Sequence, residues 1–329
     1  MTQVSQQPLF SAIQVGAFKL SHRVVMAPLT RQRSDQPGDI PNDLMAEYYS
    51  QRSSNGGLLI SEATPISITG RGYLGAPGIY SDEQVTGWKK ITAAVHAKGG
   101  RIFLQLWHVG RQSHVDVATT TPVAPSVVPY EGVAYTQNGW VPVSPHRALE
   151  IEEIPGIIED YRRGAERAKT AGFDGVEIHG ANGYLLDQFL QDGTNKRTDR
   201  YGGSVENRAR LLLEVTAAVV SVWGGDRVGL RIAPSGTFGG MSDSNPQATF
   251  GYVADQLNQF GLAYLHIVEP RDQGAGTAES DLAPVGSQYL RKIFHGRIIA
   301  AGGFEPADAE ANSVRPSVEP LRSHHILRR

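Results

Sequence analysis

Residues 179–184 read His-Gly-Ala-Asn-Gly-Tyr, so an imidazole, a carboxamide and a phenol follow one another at the end of an apolar run. Other polar groups sit in or just after similar runs. Thr30 follows HRVVMAP (22–28), Glu62 ends GGLLISE (56–62), Gln105 and Trp107 lie in RIFLQLW (101–107), and Arg231 lies in DRVGLRI (226–232). Gly302 closes GRIIAAG (296–302), and Gly303 is the next residue. The set holds one cation on a buried run, an amide, a hydroxyl, a His/Asn/Tyr cluster and a glycine pair. It lacks a carboxylate cluster, histidines at metal spacing and a strand-end lysine for a Schiff base. Metal-hydrolase and aldolase chemistry are therefore poorly served, and no metal site is expected. A cofactor with a polar rim and a phosphate suits the set better.

The elements that must position these groups are legible as alternation. Seven short, nearly continuous apolar runs, the five above with FDGVEIH (173–179) and AYLHIV (263–268), have the character of parallel strands buried on both faces. Helical-period segments lie between them. Ser81 with Gln84 makes a capping box ahead of Val85, Trp88, Ile91 and Val95. Ile154, Ile157, Ile158, Tyr161, Ala165 and Ala168 form a second stripe that Gly172 ends. Ser204 opens a helix with Leu211, Leu212, Val215 and Val219. Asn245 and Pro246 start another, with Phe250, Val253 and Leu257 inward. Seven strand–helix repeats predict an α/β fold of the (β/α)₈ TIM barrel type, in one domain over residues 1–329. A doubly wound open sheet would show a glycine-rich first turn and two halves. Residues 13–22 predict a hairpin across the bottom of the barrel. The stretch 111–150, rich in proline, threonine and valine, is an insertion after the third strand. It falls at the face where barrels keep their active sites, as a lid or wall. After residues 301–311 a helix is expected, but no eighth strand is recognisable in the prolines and arginines beyond it.

Composition narrows the class. The 329 residues are 40% hydrophobic and 19% charged, an ordinary globular balance. A net charge of −2 gives no reason to expect nucleic acid or an anionic membrane as partner. The absence of cysteine removes disulfides, zinc–thiolate sites, iron–sulfur clusters and cysteine nucleophiles. MTQVSQQPLF lacks the basic and apolar regions of a secretory signal, and no run of 18 apolar residues occurs. These features predict a cytoplasmic protein; whether it is a monomer or dimer they leave open.

The segment 179–208, HGANGYLLDQFLQDGTNKRTDRYGGSVENR, resembles the Old Yellow Enzyme family with its His-x-x-Asn-x-Tyr motif. MAPLT (26–30), SEAT (61–64), GYLGAPGIY (72–80), QLWHVGR (105–111) and AGGF (301–304) match the same family in order, so the resemblance spans residues 8 to about 311. It implies an ene-reductase with bound FMN, reduced by NADPH or NADH, whose reduced flavin passes hydride to the β-carbon of an activated alkene. Under that resemblance His179 and Asn182 donate to the substrate's carbonyl or nitro oxygen, where negative charge develops. Tyr184 protonates the α-carbon, since a phenol with an ordinary pKa of about 10 keeps its proton at neutral pH. Arg231 sits by the flavin N1/O2 edge, Gln105 by the pyrimidine and Thr30 at O4. Pro28, Leu29, Ala63 and His179 also touch the cofactor, and amides near Gly302 and Gly303 take the phosphate. Tyr73, Trp107 and Thr30 line the substrate pocket.

Several features have a plainer explanation. Few acids accompany Arg231 among the strand-end residues, which favours a cofactor role over a buried ion pair. Arg197, Asp199 and Arg200 suit a structural ion-pair loop. GRGYLG (70–75) matches a dinucleotide fingerprint, but Pro77 and Gly78 stand where a helix should open. His324 and His325 sit in a basic tail and do not suggest a metal site. The resembled family continues into an eighth strand ending in Gly-Arg, whose arginine grips the phosphate. The tail from about Asn312 carries no counterpart. Weaker FMN binding and closure of the open edge by a second chain are the corresponding expectations. The alternatives are a flavin-deficient, non-catalytic barrel and, less favoured, a metal- or Schiff-base-dependent barrel lyase.

Overall fold

The computed structural model describes residues 8–270 and 283–314. The chain opens with a hairpin, β1 (Ile13–Val15) antiparallel to β2 (Phe18–Leu20). Then come β3 (Val25–Met26), α1 (Asp43–Arg52), β4 (Leu58–Pro65), α2 (Asp82–His96) and β5 (Arg101–Trp107). The insertion holds α3 (Val115–Ala118), β6 (Val123–Ala124), β7 (Val133–Thr136), β8 (Gly139–Pro142) and β9 (Arg147–Ala148). After it run α4 (Ile154–Thr170), β10 (Gly175–Gly180), α5 (Leu185–Leu190), α6 (Val205–Trp223) and β11 (Val228–Ile232). The remainder is α7 (Pro246–Leu257), β12 (Tyr264–Val268), α8 (Ser287–Leu290), β13 (Ile298–Ala301) and α9 (Pro306–Val314). The main sheet has the order β3-β4-β5-β10-β11-β12-β13, every neighbouring pair parallel.

The apolar runs become these strands because the sheet is covered on both sides; every residue of β4 and β10 is buried. Outside, the stripes of α2, α4, α6 and α7 pack on the sheet around Trp88, Tyr161, Leu212 and Phe250. The sheet curls. In a flat sheet β5 and β12, three positions apart, would be separated by about 14 Å. Instead the rings of Phe103 and Tyr264 lie 5.9 Å apart across the interior. Two intervening glycines make room for them. A Cβ at Gly175 would lie 2.5 Å from the Phe103 ring, and one at Gly229 would lie 2.2 Å from that of Tyr264. This is barrel packing by layers of alternating large and small residues.

The hairpin closes the end of the barrel where the strands begin. Ile13, Val15 and Leu20 join Val25, Leu58, Phe103, Tyr264 and Ile299 in one apolar cluster. The Ala17 N–H donates to the carbonyl of Asp226, just before β11, at 3.0 Å. Gly16 is required at that approach, with φ +50 and a carbonyl 1.9 Å from where a Cβ would stand.

The capping box at Ser81 and Gln84 and the Asn245 cap with Pro246 form as the sequence predicts. So do the seven strands, although the first pairs over only two residues. α1 was not anticipated. Its buried hydrophobics are Met45 and Tyr49, too sparse a stripe to recognise. Among the described residues no eighth strand joins the sheet, and β3 and β13 form its two edges. The helix expected after AGGF is α9, whose Glu310 accepts from the Leu9 N–H at 3.3 Å. His324 and His325 lie outside the described residues. The insertion is ordered into the parallel pair β6–β9 and the hairpin β7–β8.

Candidate active site

Three polar groups stand on alternate strands of the sheet, toward the ends where the strands finish. Gln105 on β5 is buried, Arg231 on β11 is half-buried and opposite His179 in register, and half-buried Thr30 follows β3. Pro28 and Leu29 precede Thr30 on the same loop. That loop is anchored from β4: buried Glu62 accepts from the Arg31 N–H at 3.0 Å and from the Tyr49 hydroxyl at 3.1 Å. Burial pushes the Glu62 carboxyl up to about 7. Beside it the β4–β5 register shifts between Ile60 and Ala63. The shift places buried Ala63 opposite Gln105, and the Ser61 hydroxyl accepts from the Gln105 N–H at 3.0 Å. Such irregularities re-aim side chains near active sites.

One expectation needs correction. An acid does accompany Arg231: Glu177, fully buried on the adjacent β10. It accepts from Gln105 Nε2 at 2.7 Å and from His266 Nδ1 at 2.9 Å. Burial alone would raise its pKa, but His266, Arg231 and Gln105 together outweigh burial and hold it below the usual carboxylate range. Burial pushes His266 down, toward the neutral imidazole that donates from Nδ1. Because a carboxylate only accepts, the Gln105 amide must turn its nitrogen toward Glu177 and its oxygen away. Sequence reasoning missed Glu177 and His266. The available signal was a charged residue and a histidine inside GVEIH and YLHIV, runs otherwise apolar.

The His-Asn-Tyr segment leaves β10 in a tight turn. His179 is buried, and its Nδ1 accepts from the Ala181 N–H at 3.3 Å. Burial, then the positive charge of Arg231, push its pKa well down. A neutral imidazole that accepts at Nδ1 carries its proton on Nε2, leaving Nε2–H to donate. Asn182, half-buried, has φ 58 and Gly183 has φ 71. Tyr184 then caps α5 with its ring buried, 5.0 Å from His179 and 5.0 Å from Trp107, edge-on to both. Burial, then Tyr73, push the phenol well above its ordinary range, so it holds its proton. The turn is fastened by side chains the sequence did not single out, Gln112, Asp187 and Gln188.

Aromatic rings lead outward from Tyr184. Trp107 is 5.7 Å from Tyr73, and Tyr73 is 5.7 Å from Trp140 on the insertion's hairpin. The Leu74 N–H donates to the Tyr135 carbonyl at 2.8 Å, tying that hairpin over the strand ends. The insertion thus walls the site, and the structure brings Tyr73, Trp107, His179 and Tyr184 together. Gly302 and Gly303 follow β13 with φ 116 and 65, between the strand and α9. Arg197 and Asp199 form the anticipated ion pair, at 2.5 Å, away from this cluster, and Arg200 donates to Tyr201.

The donor set fits FMN, the cofactor implied by the resemblance. Amide, guanidinium and hydroxyl groups come from three alternate strands toward the same end of the sheet. The Trp107 indole N–H is buried with no protein acceptor, a donor left over for a ligand.

Comparison with known proteins agrees. Residues 8–320 match the family described as NADH:flavin oxidoreductase / NADH oxidase. Flavin oxidoreductase hxnT of Emericella nidulans is 45% identical, over 96% of this chain and 86% of its own. 12-Oxophytodienoate reductase 2 of Arabidopsis thaliana is 45% identical, over 92% and 80%. Among solved structures, the Old Yellow Enzyme homologue from Zymomonas mobilis is 44% identical with a TM-score of 0.88, over 92% of this chain and 84% of that one. Morphinone reductase in complex with tetrahydroNAD is 49% identical with a TM-score of 0.84, over 92% and 83%. The flavin-deficient alternative gains nothing from these likenesses. With a curled barrel sheet, a polar cofactor rim and a family match across most of its length, the chain belongs to the NADH:flavin oxidoreductase / NADH oxidase family, as an FMN- and NAD(P)H-dependent oxidoreductase of the Old Yellow Enzyme type.

Proposed function

We propose that this chain, as a single FMN-binding barrel domain over residues 1–329, reduces the activated C=C bond of α,β-unsaturated carbonyl or nitro compounds. NADPH, or NADH, is the reductant. The observation that carries the reading is the pairing of a neutral His179, with its proton on Nε2, and a protonated Tyr184 whose ring stands 5.0 Å away. One supplies a hydrogen bond and the other a proton, the two needs of an alkene conjugated to an oxygen acceptor. Bound FMN supplies the hydride, taken from the nicotinamide. His179 Nε2–H and the Asn182 amide bind the substrate's oxygen and stabilise the charge that develops there. Tyr184 delivers its hydroxyl proton to the α-carbon.

The same reading assigns the cofactor's surroundings. Gln105 would hold the pyrimidine, Thr30 the O4 edge, and Arg231 would offset negative charge at N1 and O2. Pro28, Leu29 and Ala63 would also touch the cofactor, and the Gly302 and Gly303 amides would take its phosphate. Trp107 and Tyr73 bound the alkene's pocket and exclude water. The relatives named for reducing 12-oxophytodienoate and for morphinone support the alkene class. We place the protein in the cytoplasm; among the described residues no helix is long and apolar enough to cross a membrane.

The test is product analysis under anaerobic conditions. NADPH and 2-cyclohexenone should give cyclohexanone in step with NADPH consumed. NADPH oxidation in air with no saturated product from any enone or nitroalkene would leave an NADPH oxidase and overturn the reading.

A further inference from the structure

We propose that Gln112 is a positioning residue for alkene reduction, acting through the Asn182–Gly183 turn. The inference rests on the assignment of His179, Asn182 and Tyr184 above. Two successive left-handed residues are an unfavourable way to leave a strand, and Asn182 is not a glycine. A conformation of this kind persists only where its surroundings impose it. Here they do. Gln112 Nε2 carries two hydrogens and donates to two successive carbonyls, Asn182 at 3.1 Å and Gly183 at 2.6 Å. The side chain is buried and reaches the turn from the loop after β5. From the other side, Gln188 Nε2 donates to the Gly183 carbonyl at 2.7 Å, and the Gly183 N–H donates to Asp187 Oδ2 at 2.8 Å.

Space around the amide is fitted to this contact. A Cβ at Gly239 would lie 2.6 Å from Gln112 Nε2, and one at Gly183 would lie 3.0 Å from it. Arg111, the neighbour of Gln112, donates to the Gly239 carbonyl at 2.9 Å. The root of the insertion, the loop after β11 and the catalytic turn are thereby tied at one point. Asn182 and Tyr184 flank Gly183 on either side. Without the Gln112 donor the Asn182 carbonyl is released and that of Gly183 is left to Gln188 alone, which lets the carboxamide and the phenol drift relative to His179, which is fixed on the strand.

The test uses the full chain loaded with FMN and two near-isosteric variants. Gln112→Met keeps the volume and removes the donor. Gln112→Glu keeps the shape and aims a carboxyl at two carbonyls. Reoxidation of reduced enzyme by 2-cyclohexenone should slow by about 10- to 100-fold in both, the usual consequence of displacing an aligned group by about 1 Å. Reduction by NADPH and the dissociation constant for FMN should stay near those of the wild type, while the melting temperature should fall in both variants because buried carbonyls lose a donor. That split between half-reactions is a change that a purely structural role would not produce. Wild-type reoxidation rates in both variants, an equal loss in both half-reactions with weakened FMN binding, or failure of both variants to fold would overturn the proposal. A wild-type protein that NADPH reduces but no alkene reoxidises would instead overturn the function assigned to the site, and this inference with it.

Discussion

Replacing Tyr184 with Phe removes one hydroxyl and little else. The phenyl ring retains the edge contacts to Trp107 and His179, both at 5.0 Å. The lost contact with Tyr73 should cost about 0.5–1.5 kcal/mol of stability, the ordinary net worth of a hydrogen bond. The kinetic cost should be far larger. A positioned general acid contributes about 10²- to 10⁴-fold, which corresponds to about 3–5 kcal/mol of barrier. Burial holds the phenol well above its ordinary pKa, so the wild type keeps this proton across the neutral range. Anaerobic stopped-flow separates the two halves of the cycle. Bleaching by NADPH should proceed at close to the wild-type rate, because that half needs no proton from Tyr184. Reoxidation by 2-cyclohexenone should slow by about 10²- to 10⁴-fold. Equal loss in both halves, or unchanged reoxidation, would refute the assignment of Tyr184 as proton donor.

Two further perturbations probe the buried acids. Asp187 is raised by burial from 3.8 to about 7, so the stability tied to its proton is present below pH 4 and is lost as pH rises through 7. Asp187→Asn has no such loss, and its melting temperature relative to wild type should climb between about pH 4 and 7, by the equivalent of up to about 4 kcal/mol; a constant gap would contradict this. Glu177→Leu leaves the Gln105 and His266 donors buried without their acceptor, and should destabilise the FMN-free protein by about 2–6 kcal/mol in denaturant unfolding. A change below about 1 kcal/mol would show that the carboxylate is dispensable to the barrel interior.

Local chemistry made much of this legible in advance. Ser81, Gln84, Asn245 and Pro246 act within a turn of their own helices, and strands buried on both faces are written as unbroken apolar runs. The motif at 179–184 was readable because its members fall within six residues. Side-chain partnerships between segments distant in the sequence were not. Gln105 and Glu177 are 72 positions apart, and Gln112 is 70 from Asn182. No periodicity encodes such pairs; only register and curvature bring them together. The missed acid beside Arg231 has the same origin. A search confined to strand ends passes over Glu177, two residues before the end of the apolar run that closes at His179.

The central claim, a flavin site that serves alkene reduction, is tested most directly by the visible spectrum of the purified protein with and without added FMN. The account predicts a bound-flavin band that NADPH bleaches and 2-cyclohexenone restores in the absence of oxygen. A colourless protein that takes up no FMN would contradict it.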